Sequence, residues 1–131
     1  MIKRNFNSNA PKPIGPYSQA VESGGFVFVS GQIPVDPKTG DIIGKDIEEQ
    51  AEQVFQNIHS ILKEVGLGLG NVVKTTIYLK TLSFFPTVNT IYQKYFKPPY
   101  PARSCIEVSN IPRGALLEID VIASQEGVTK E

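Results

Sequence analysis

The chain has 131 residues, of which 40% are hydrophobic and 20% are charged. Such a composition is typical of a globular protein, and the length predicts a single domain over residues 1–131, because domains commonly contain about 100 to 150 residues. Thirteen basic residues balance thirteen acidic ones, and no run of lysine and arginine forms a basic surface. The charge therefore argues against nucleic acid or an anionic membrane as the partner.

Cysteine and histidine are too scarce for several common kinds of site. Cys105 has no second cysteine with which to form an internal disulfide, and His59 is the single histidine. A zinc site of the usual Cys and His ligands is therefore excluded, and a Ser-His-Asp or Cys-His arrangement would have to use His59. Residues 1–6 lack the apolar core of a signal peptide, and no stretch approaches the ~20 apolar residues of a membrane helix. We expect a cytoplasmic protein.

The first part of the chain predicts a loop followed by two strands. Residues 9–18 contain three prolines and a glycine, which argue against a helix or a central strand and predict a stiff loop that carries Tyr17. Residues 19–22 and 26–30 predict two strands joined by a turn at Ser23-Gly24-Gly25, where glycine permits a positive φ. Because residues 26–29 are apolar on both faces, we expect the second strand to lie inside the sheet.

Residues 46–65 predict an amphipathic helix. Asp46 and Glu49 form a capping-box pattern, Gly66 suits the end of the helix, and the apolar side chains repeat along one stripe. Residues 73–80 then alternate in the period of a half-buried strand. A strand, a helix and a strand in this order predict a right-handed parallel crossover.

The second half predicts one more helix and two more strands. The helix is expected to begin near Ser83, with Pro86 in its first turn, and the strands at 102–108 and 116–123. The predicted fold class is α+β, a mixed sheet with both helices packed on one face. Two helices cannot cover both faces of a sheet of about five or six strands, so we expect the open face to meet another subunit.

Strand alternation groups the candidate catalytic side chains. Arg103 and Cys105 share one face of their strand, and Glu118 and Asp120 share the polar face of the next strand. Matching the apolar faces of the two strands predicts that all four side chains lie on the sheet face away from the helices. A hairpin between the strands would bring Arg103 within reach of the two carboxylates.

Spacing alone leaves two interpretations of this group open. The planar guanidinium of Arg103 suits a carboxylate ligand, since it donates two parallel hydrogen bonds, each worth about 1.5 to 3 kcal/mol. Alternatively, Arg103 forms a salt bridge with Glu118 or Asp120 in a subunit interface. Glu118 could activate water as a general base, or it could be half of that salt bridge. Cys105 is more typical of a small buried residue than of a nucleophile, because no histidine stands near it.

Several short motifs resemble, in order and spacing, those of the reactive intermediate deaminase family, also called RidA or YjgF-like proteins. The matching segments are residues 15–21 (GPYSQAV), 29–34 (VSGQIP), 101–104 (PARS) and 118–120 (EID), together with Phe85, Asn89 and Tyr92. The resemblance runs from about residue 3 to residue 124. Residues 81–84 (TLSF) depart from the pattern, since the family often carries an acidic residue before this helix. The departure alters a helix cap more obviously than a cleft.

The resemblance implies a chorismate-mutase-like (bacillus-type) fold, assembled as a homotrimer with three clefts between adjacent subunits. It also implies the activity of a 2-iminobutanoate/2-iminopropanoate deaminase, which hydrolyses reactive 2-imino acids to 2-keto acids and ammonia. By position, Arg103 would bind the carboxylate, Glu118 would position and activate water, and the backbone around Cys105 would contact the imine. The cleft would be shaped by Tyr17, Ser30, Gly31 and Asn89. No metal or other cofactor is expected, because an oriented imine hydrolyses readily.

Two other functions compete with this prediction. One is a non-catalytic trimer whose clefts bind a carboxylated metabolite or whose surface regulates another protein, and the presence of Glu118 argues for the enzyme instead. The other is an endoribonuclease, an activity also attributed to relatives of the family. The balanced charge, the absence of tryptophan and the single histidine argue against that activity.

Overall fold

The computed structural model of the chain describes residues 2–5 and 9–126. The remaining positions, residue 1, residues 6–8 and residues 127–131, lie outside this description, and they include both ends of the predicted domain. The strands are β1 (Lys3–Asn5), β2 (Ala20–Ser23), β3 (Phe26–Gln32), β4 (Val72–Leu79), β5 (Ala102–Glu107) and β6 (Leu117–Ser124). The helices are α1 (Ile47–Glu64) and α2 (Phe85–Tyr95). The α+β fold class is thereby confirmed.

The turn between β2 and β3 agrees with the sequence prediction. Gly24 and Gly25 have φ values of 61° and 82°, the conformation that a two-residue hairpin turn needs and that glycine adopts without strain. Strand β1, which pairs with β2, was not predicted. Its three residues are too few for a pattern of alternation to be visible in the sequence.

Helix α1 has the predicted position and the predicted caps. The side chain of Asp46 accepts a hydrogen bond from the backbone N–H of Glu49 at 2.8 Å, which satisfies one of the free donors of the first turn. At the other end Gly66 has a φ of 78°, and the N–H groups of Gly66 and Leu67 donate to the carbonyls of Lys63 and Leu62. This pair of bonds is a Schellman motif, which ends the helix.

The strand order is β1-β2-β3-β6-β4-β5. Strand β6 is antiparallel to both β3 and β4, so β3 and β4 run in the same direction, as predicted, with β6 between them. Strand β5 pairs with β4 in parallel, and the hairpin considered between β5 and β6 is therefore wrong. The physical reason is burial. Between β3 and β4, strand β6 has one whole face buried in the core: its residues Leu117, Ile119, Val121 and Ala123 are at most 1% exposed.

The two faces of the sheet differ in how well they are covered. One face packs against the helices, and α1 and α2 meet through the ring of Phe55, which contacts Tyr92 and Tyr95. On the other face Phe26, Phe28 and Ile106 are 42%, 44% and 46% exposed. Strand β3 lies inside the sheet as predicted, yet its outer phenylalanines are uncovered within a single chain. None of the helices in the described ranges combines the length and apolarity that crossing a membrane requires.

The approach to α2 shows how the chain manages without an acidic residue in segment 81–84. A short 3₁₀ turn, Leu82–Phe84, precedes the helix, and the Thr81 side chain accepts from the N–H of Ser83. The carboxylate of Glu107 accepts from the N–H of Leu82 at 2.8 Å. A glutamate from the neighbouring strand thus supplies the negative group that a local acidic cap would have provided.

Candidate functional site

The face on which Arg103 lies differs from the predicted one. Arg103 is in register with Thr75 of β4, and Thr75 with Val121 of β6. Thr75 and Val121 are buried beneath the helices, so Arg103, and with it Cys105, lies on the helix face. The prediction that they share the open face with Glu118 and Asp120 is wrong. It assumed that Ile106 points into the core, whereas β5 is an edge strand whose outer face is exposed.

Helix α2 holds the guanidinium of Arg103 from three positions. The Arg103 Nη1 donates to Asn89 Oδ1 at 2.8 Å. The Cζ atom lies 5.1 Å from the ring centroid of Phe85 and 4.8 Å from that of Tyr92, which are cation–π distances. These three residues stand four and three positions apart on one side of the helix. The guanidinium is thus oriented although Arg103 is exposed.

The ring of Tyr92 is itself fixed from below. Its hydroxyl shares a hydrogen bond of 3.0 Å with the buried Thr75 Oγ1, and its ring packs against Phe55 in a T-shaped arrangement. Burial raises the pKa of Tyr92, outweighing the opposite effects of Thr75 and Arg103. Sequence patterns assigned Tyr92 to the core and Phe85 to a family motif. Their helical spacing with Asn89 was the signal that could have identified a support for Arg103.

Beside Arg103 is an open cavity of about 460 Å³. It lies between α2 and the segment that leads into β5, and its walls are formed by Asn89, Tyr92, Gln93, Tyr100, Pro101 and Arg103. Among the described residues no carboxylate forms an ion pair with Arg103. The arrangement can therefore receive an external anion at the guanidinium.

Cys105 lies two residues beyond Arg103 on the same face of β5. It is half-buried and packs against the hydrophobic core. Burial raises the pKa of its thiol, and the positive charge of Arg103 opposes that rise only in part. The thiol is therefore kept neutral, which suits a packing residue better than a nucleophile.

Glu118 occupies the open face and lies directly against Gly31. A Cβ atom added to Gly31 would clash with Oε2 of Glu118 and would stand 2.8 Å from its Cδ, so glycine is what lets the carboxylate occupy this position. Burial raises the pKa of Glu118, and the nearby charge of Asp120 raises it further. Arg103 does not oppose this rise, because its side chain is on the other face of the sheet.

Asp120 and Tyr78 complete the surroundings of Glu118. The Tyr78 hydroxyl donates to Asp120 Oδ2 at 3.0 Å, and Tyr78 is the cross-strand partner of Glu118. Burial, followed by the hydrogen bond with Asp120, raises the pKa of Tyr78. Tyr78 was not among the predicted site residues, although its place in the polar half of the alternation in β4 put it on this face.

Ser30 precedes Gly31 in β3, and Tyr17 lies near Gly31 on the loop before β2. The register between β3 and β6 shifts between Val29 and Gln32, a bulge that lifts Ser30 and Gly31 out of the regular ladder. The Ser30 hydroxyl donates to the carbonyl of Ser18. Tyr17 and Gly31 line a small depression of about 50 Å³.

The predicted site residues thus form two groups. The open-face cluster contains Tyr17, Ser30, Gly31 and Glu118. The arginine cluster contains Asn89, Arg103 and Cys105. Because the two clusters lie on opposite faces of one sheet, a single chain does not bring them together. Within residues 2–5 and 9–126, no three His, Cys, Asp or Glu side chains are grouped so that they could hold a metal ion.

Comparisons with known proteins agree with this fold. Two curated relatives are a RutC family protein of Pyrococcus horikoshii, 50% identical over 92% of this chain and 96% of its own, and the 2-iminobutanoate/2-iminopropanoate deaminase of Salmonella typhimurium, 45% identical over 94% of this chain and 98% of its own.

Solved structures give the same picture. YyfA from Yersinia pestis, a member of the conserved Rid protein family, has a TM-score of 0.92 at 46% identity and covers 95% of this chain and 99% of its own. E. coli TdcF with bound serine has a TM-score of 0.88 at 40% identity and covers 93% of this chain and 98% of its own. The family model described as endoribonuclease L-PSP matches residues 7–125. The chain therefore belongs to this family, that of the RidA and YjgF-like proteins.

Proposed function

We propose that this protein is a cytoplasmic 2-imino acid deaminase, in which Arg103 binds the substrate carboxylate and Glu118 activates water. The observation that carries the proposal is the guanidinium of Arg103, which lies over the rings of Phe85 and Tyr92, is held by Asn89 and, within the described part of the chain, has no ion-pair partner. A fixed guanidinium that no internal carboxylate neutralises is suited to an external one. Many relatives carry only a RutC family name, so the activity is our inference.

Two relatives support the chemical class of the substrate. One, from Salmonella typhimurium, is named for the hydrolysis of 2-iminobutanoate and 2-iminopropanoate. The other, E. coli TdcF, holds serine, whose carboxylate and substituted α-carbon resemble those of a 2-imino acid. In our proposal the carboxylate of a 2-imino acid binds Arg103, as the carboxylate of serine could, and the imine carbon lies next to it.

The position of the two clusters leads us to propose that the site is formed between copies of the chain. Arg103 and Glu118 lie on opposite faces of the sheet, so they can act on one substrate only if different copies supply them. On the open face Phe26 and Phe28 form an exposed apolar patch, their ring centroids 6.4 Å apart, and Ile106 is exposed on the edge strand β5; a second copy would cover these side chains. A homotrimer with a cleft at each of its interfaces satisfies both conditions.

The proposed reaction is the addition of water to a carbon–nitrogen double bond. Glu118 takes a proton from water as the water oxygen bonds to the imine carbon; the electron pair of the C=N π bond moves to the nitrogen, which takes up that proton from Glu118. Glu118 then takes the hydroxyl proton of the resulting carbinolamine as the C=O bond of the keto acid forms; the C–N bond breaks, and the nitrogen takes up this proton and leaves as ammonia. Arg103 holds the carboxylate throughout and thereby fixes the imine carbon relative to the water.

The direct test is to generate an imino acid from an amino acid with an oxidase and to measure keto acid and ammonia. We expect the wild-type chain to increase the rate of keto acid release above that of spontaneous hydrolysis, by roughly 10²-fold at a general-base site. The control is the same chain after heat denaturation. Equal rates with native and denatured protein would contradict the proposed activity.

The raised pKa of Glu118 predicts a characteristic pH profile. Glu118 acts as a base only when ionised, so kcat/KM is expected to fall as the pH drops through its pKa, at higher pH than for an ordinary glutamate. Asp120→Asn removes the neighbouring charge and keeps an acceptor for Tyr78, and it should lower the pKa of Glu118 and move the acid limb to lower pH. Asp41→Asn, in an exposed loop, is the matched control. An acid limb that does not move in Asp120→Asn would remove Asp120 from this role.

The description of the family model favours testing a second activity. That description is of an endoribonuclease. The test is to incubate the protein with a single-stranded RNA under the same conditions. The chain has no net charge and no run of lysine and arginine, and this composition argues against RNA binding. We expect no cleavage above that of the Arg103→Ala variant, and cleavage that depends on Arg103 would favour the ribonuclease.

A further inference from the structure

The cavity beside Arg103 is larger than a small imino acid requires. Its volume is about 460 Å³, whereas a cavity of about 150 Å³ is enough to hold benzene. A carboxylate and an imine carbon at the guanidinium would leave most of this space empty. The remaining volume can therefore hold a substituent of the substrate.

The lining of the cavity indicates the kind of substituent. Tyr92 and Tyr100 contribute aromatic rings, and Pro101 contributes an apolar wall. Asn89 and Gln93 contribute uncharged amides, and Arg103 is the one charged residue among the lining residues. A second charged group on the ligand would find no further charged side chain among these residues, because Arg103 already binds the carboxylate. Rings and amides around a cavity suit an uncharged planar group.

Tyr100 differs from Tyr92, the other aromatic residue of the cavity, in how exposed its side chain is. Tyr92 is buried and hydrogen-bonded to Thr75, whereas Tyr100, which also lines the cavity, is 51% exposed. An exposed ring loses little packing when it turns toward a ligand. Tyr100 is therefore placed to cover an aromatic substituent while Tyr92 supports Arg103 from the inner side.

We propose that this cavity is the side-chain subsite of the enzyme, that it favours 2-imino and 2-keto acids with an aromatic substituent over those with a methyl group, and that Tyr100 determines this preference. The inference rests on the proposed function for the position of the carboxylate. It goes beyond that function because it assigns the substrate class and a specificity-determining residue.

The test compares the binding of two stable keto acids, phenylpyruvate and pyruvate, by titration calorimetry. For the wild-type protein we expect phenylpyruvate to bind about tenfold more tightly, the factor that about 1.4 kcal/mol of added aromatic contact supplies. Tyr100→Ala removes the covering ring and should reduce the ratio to about twofold or less. Gln93→Trp fills the cavity from the exposed side of α2 and should reverse the ratio. Ile43→Ala, which removes an exposed apolar side chain elsewhere, should retain it.

The outcomes separate this inference from the proposed function. The proposed subsite is overturned if the wild-type protein binds phenylpyruvate and pyruvate with nearly equal affinity, as would result if a second copy filled the cavity. It is also overturned if Tyr100→Ala leaves the ratio of the two affinities unaltered. If the ratio behaves as expected while the protein fails to accelerate imine hydrolysis, the subsite stands and the proposed catalysis fails. Thermal melting of each variant establishes that it is folded. Gln93→Trp alters an exposed position and provides a second measurement if Tyr100→Ala disturbs the adjacent prolines.

Discussion

Arg103→Ala is expected to reduce the catalysed hydrolysis of 2-imino acids to the spontaneous rate, a loss of roughly 10²-fold or more in kcat/KM. The change would remove the two charge-assisted hydrogen bonds that we propose Arg103 donates to the substrate carboxylate, each worth about 1.5 to 3 kcal/mol. Arg103→Lys keeps the charge but loses the planar fork, and an intermediate rate is expected. The assay is keto acid release from an imino acid generated in situ, with the binding of 2-ketobutyrate measured in parallel.

The effect of Arg103→Ala should be local to the site. The side chain is exposed at the edge of the sheet, and its contacts with Phe85 and Tyr92 are worth about 0.5 to 1 kcal/mol each at such a position. Arg113→Gly is a matched control, because it removes another exposed guanidinium at a residue whose φ of 60° glycine accepts without strain. Equal activity in Arg103→Ala and Arg113→Gly would contradict the role of Arg103.

Glu118→Gln is expected to separate binding from catalysis. The variant keeps the shape that fits against Gly31 but cannot accept the proton of water, so kcat should fall by roughly 10²-fold, toward the spontaneous rate. The affinity for 2-ketobutyrate should change by less than about threefold, because in the proposed site Arg103, and not Glu118, binds the carboxylate. Because the folded state raises the pKa of Glu118, the ionised carboxylate destabilises the fold near neutral pH. Glu118→Gln removes this charge, so the melting temperature of the variant near neutral pH is expected to exceed that of the wild type. Glu126→Gln, in an exposed turn, is the control, and full turnover in Glu118→Gln would remove Glu118 from the mechanism.

The two inactive variants together test whether the site is shared between copies. When Arg103→Ala and Glu118→Gln chains are refolded as an equal mixture, a cleft is complete if one copy supplies Arg103 and its neighbour supplies Glu118. Random assembly of a ring should therefore restore about a quarter of the wild-type activity. A site contained in one chain would show no such recovery. Refolding each variant alone provides the baseline.

Local patterns in the sequence were sufficient for the elements of the fold that depend on neighbours in the chain. The cap of α1 by Asp46, its end at Gly66 and the glycine turn before β3 depend on contacts within a few residues, and each was predicted and confirmed. The alternation of buried and half-buried residues in β6 was also correct. The pairing of β5 was not, because strands of either direction share the same period of two, and only packing decides their neighbours.

The candidate site shows the same division. The chemistry of Arg103 and Glu118 was recognised from residue type and from the resemblance of the surrounding motifs, and their roles remain predictions. Their relative position was predicted incorrectly. In an edge strand an apolar residue such as Ile106 can face solvent, while the long side chain of Arg103 packs against the rings of α2. The aliphatic stem of arginine packs well on apolar surface while its head stays in water, so its side of the strand cannot be inferred from polarity alone.

The sequence by itself determined the family, the order of the helices, both ends of α1, the turn at Gly24 and Gly25, and the residue types available for chemistry. These features follow from backbone preferences and short-range spacing, which are properties of the chain before it folds. Only the tertiary structure decided that β6 lies between β3 and β4 and that Arg103 faces α2 while Glu118 faces away from it. Long-range strand order is selected by how much apolar surface each arrangement buries, and that quantity belongs to the whole packed sheet.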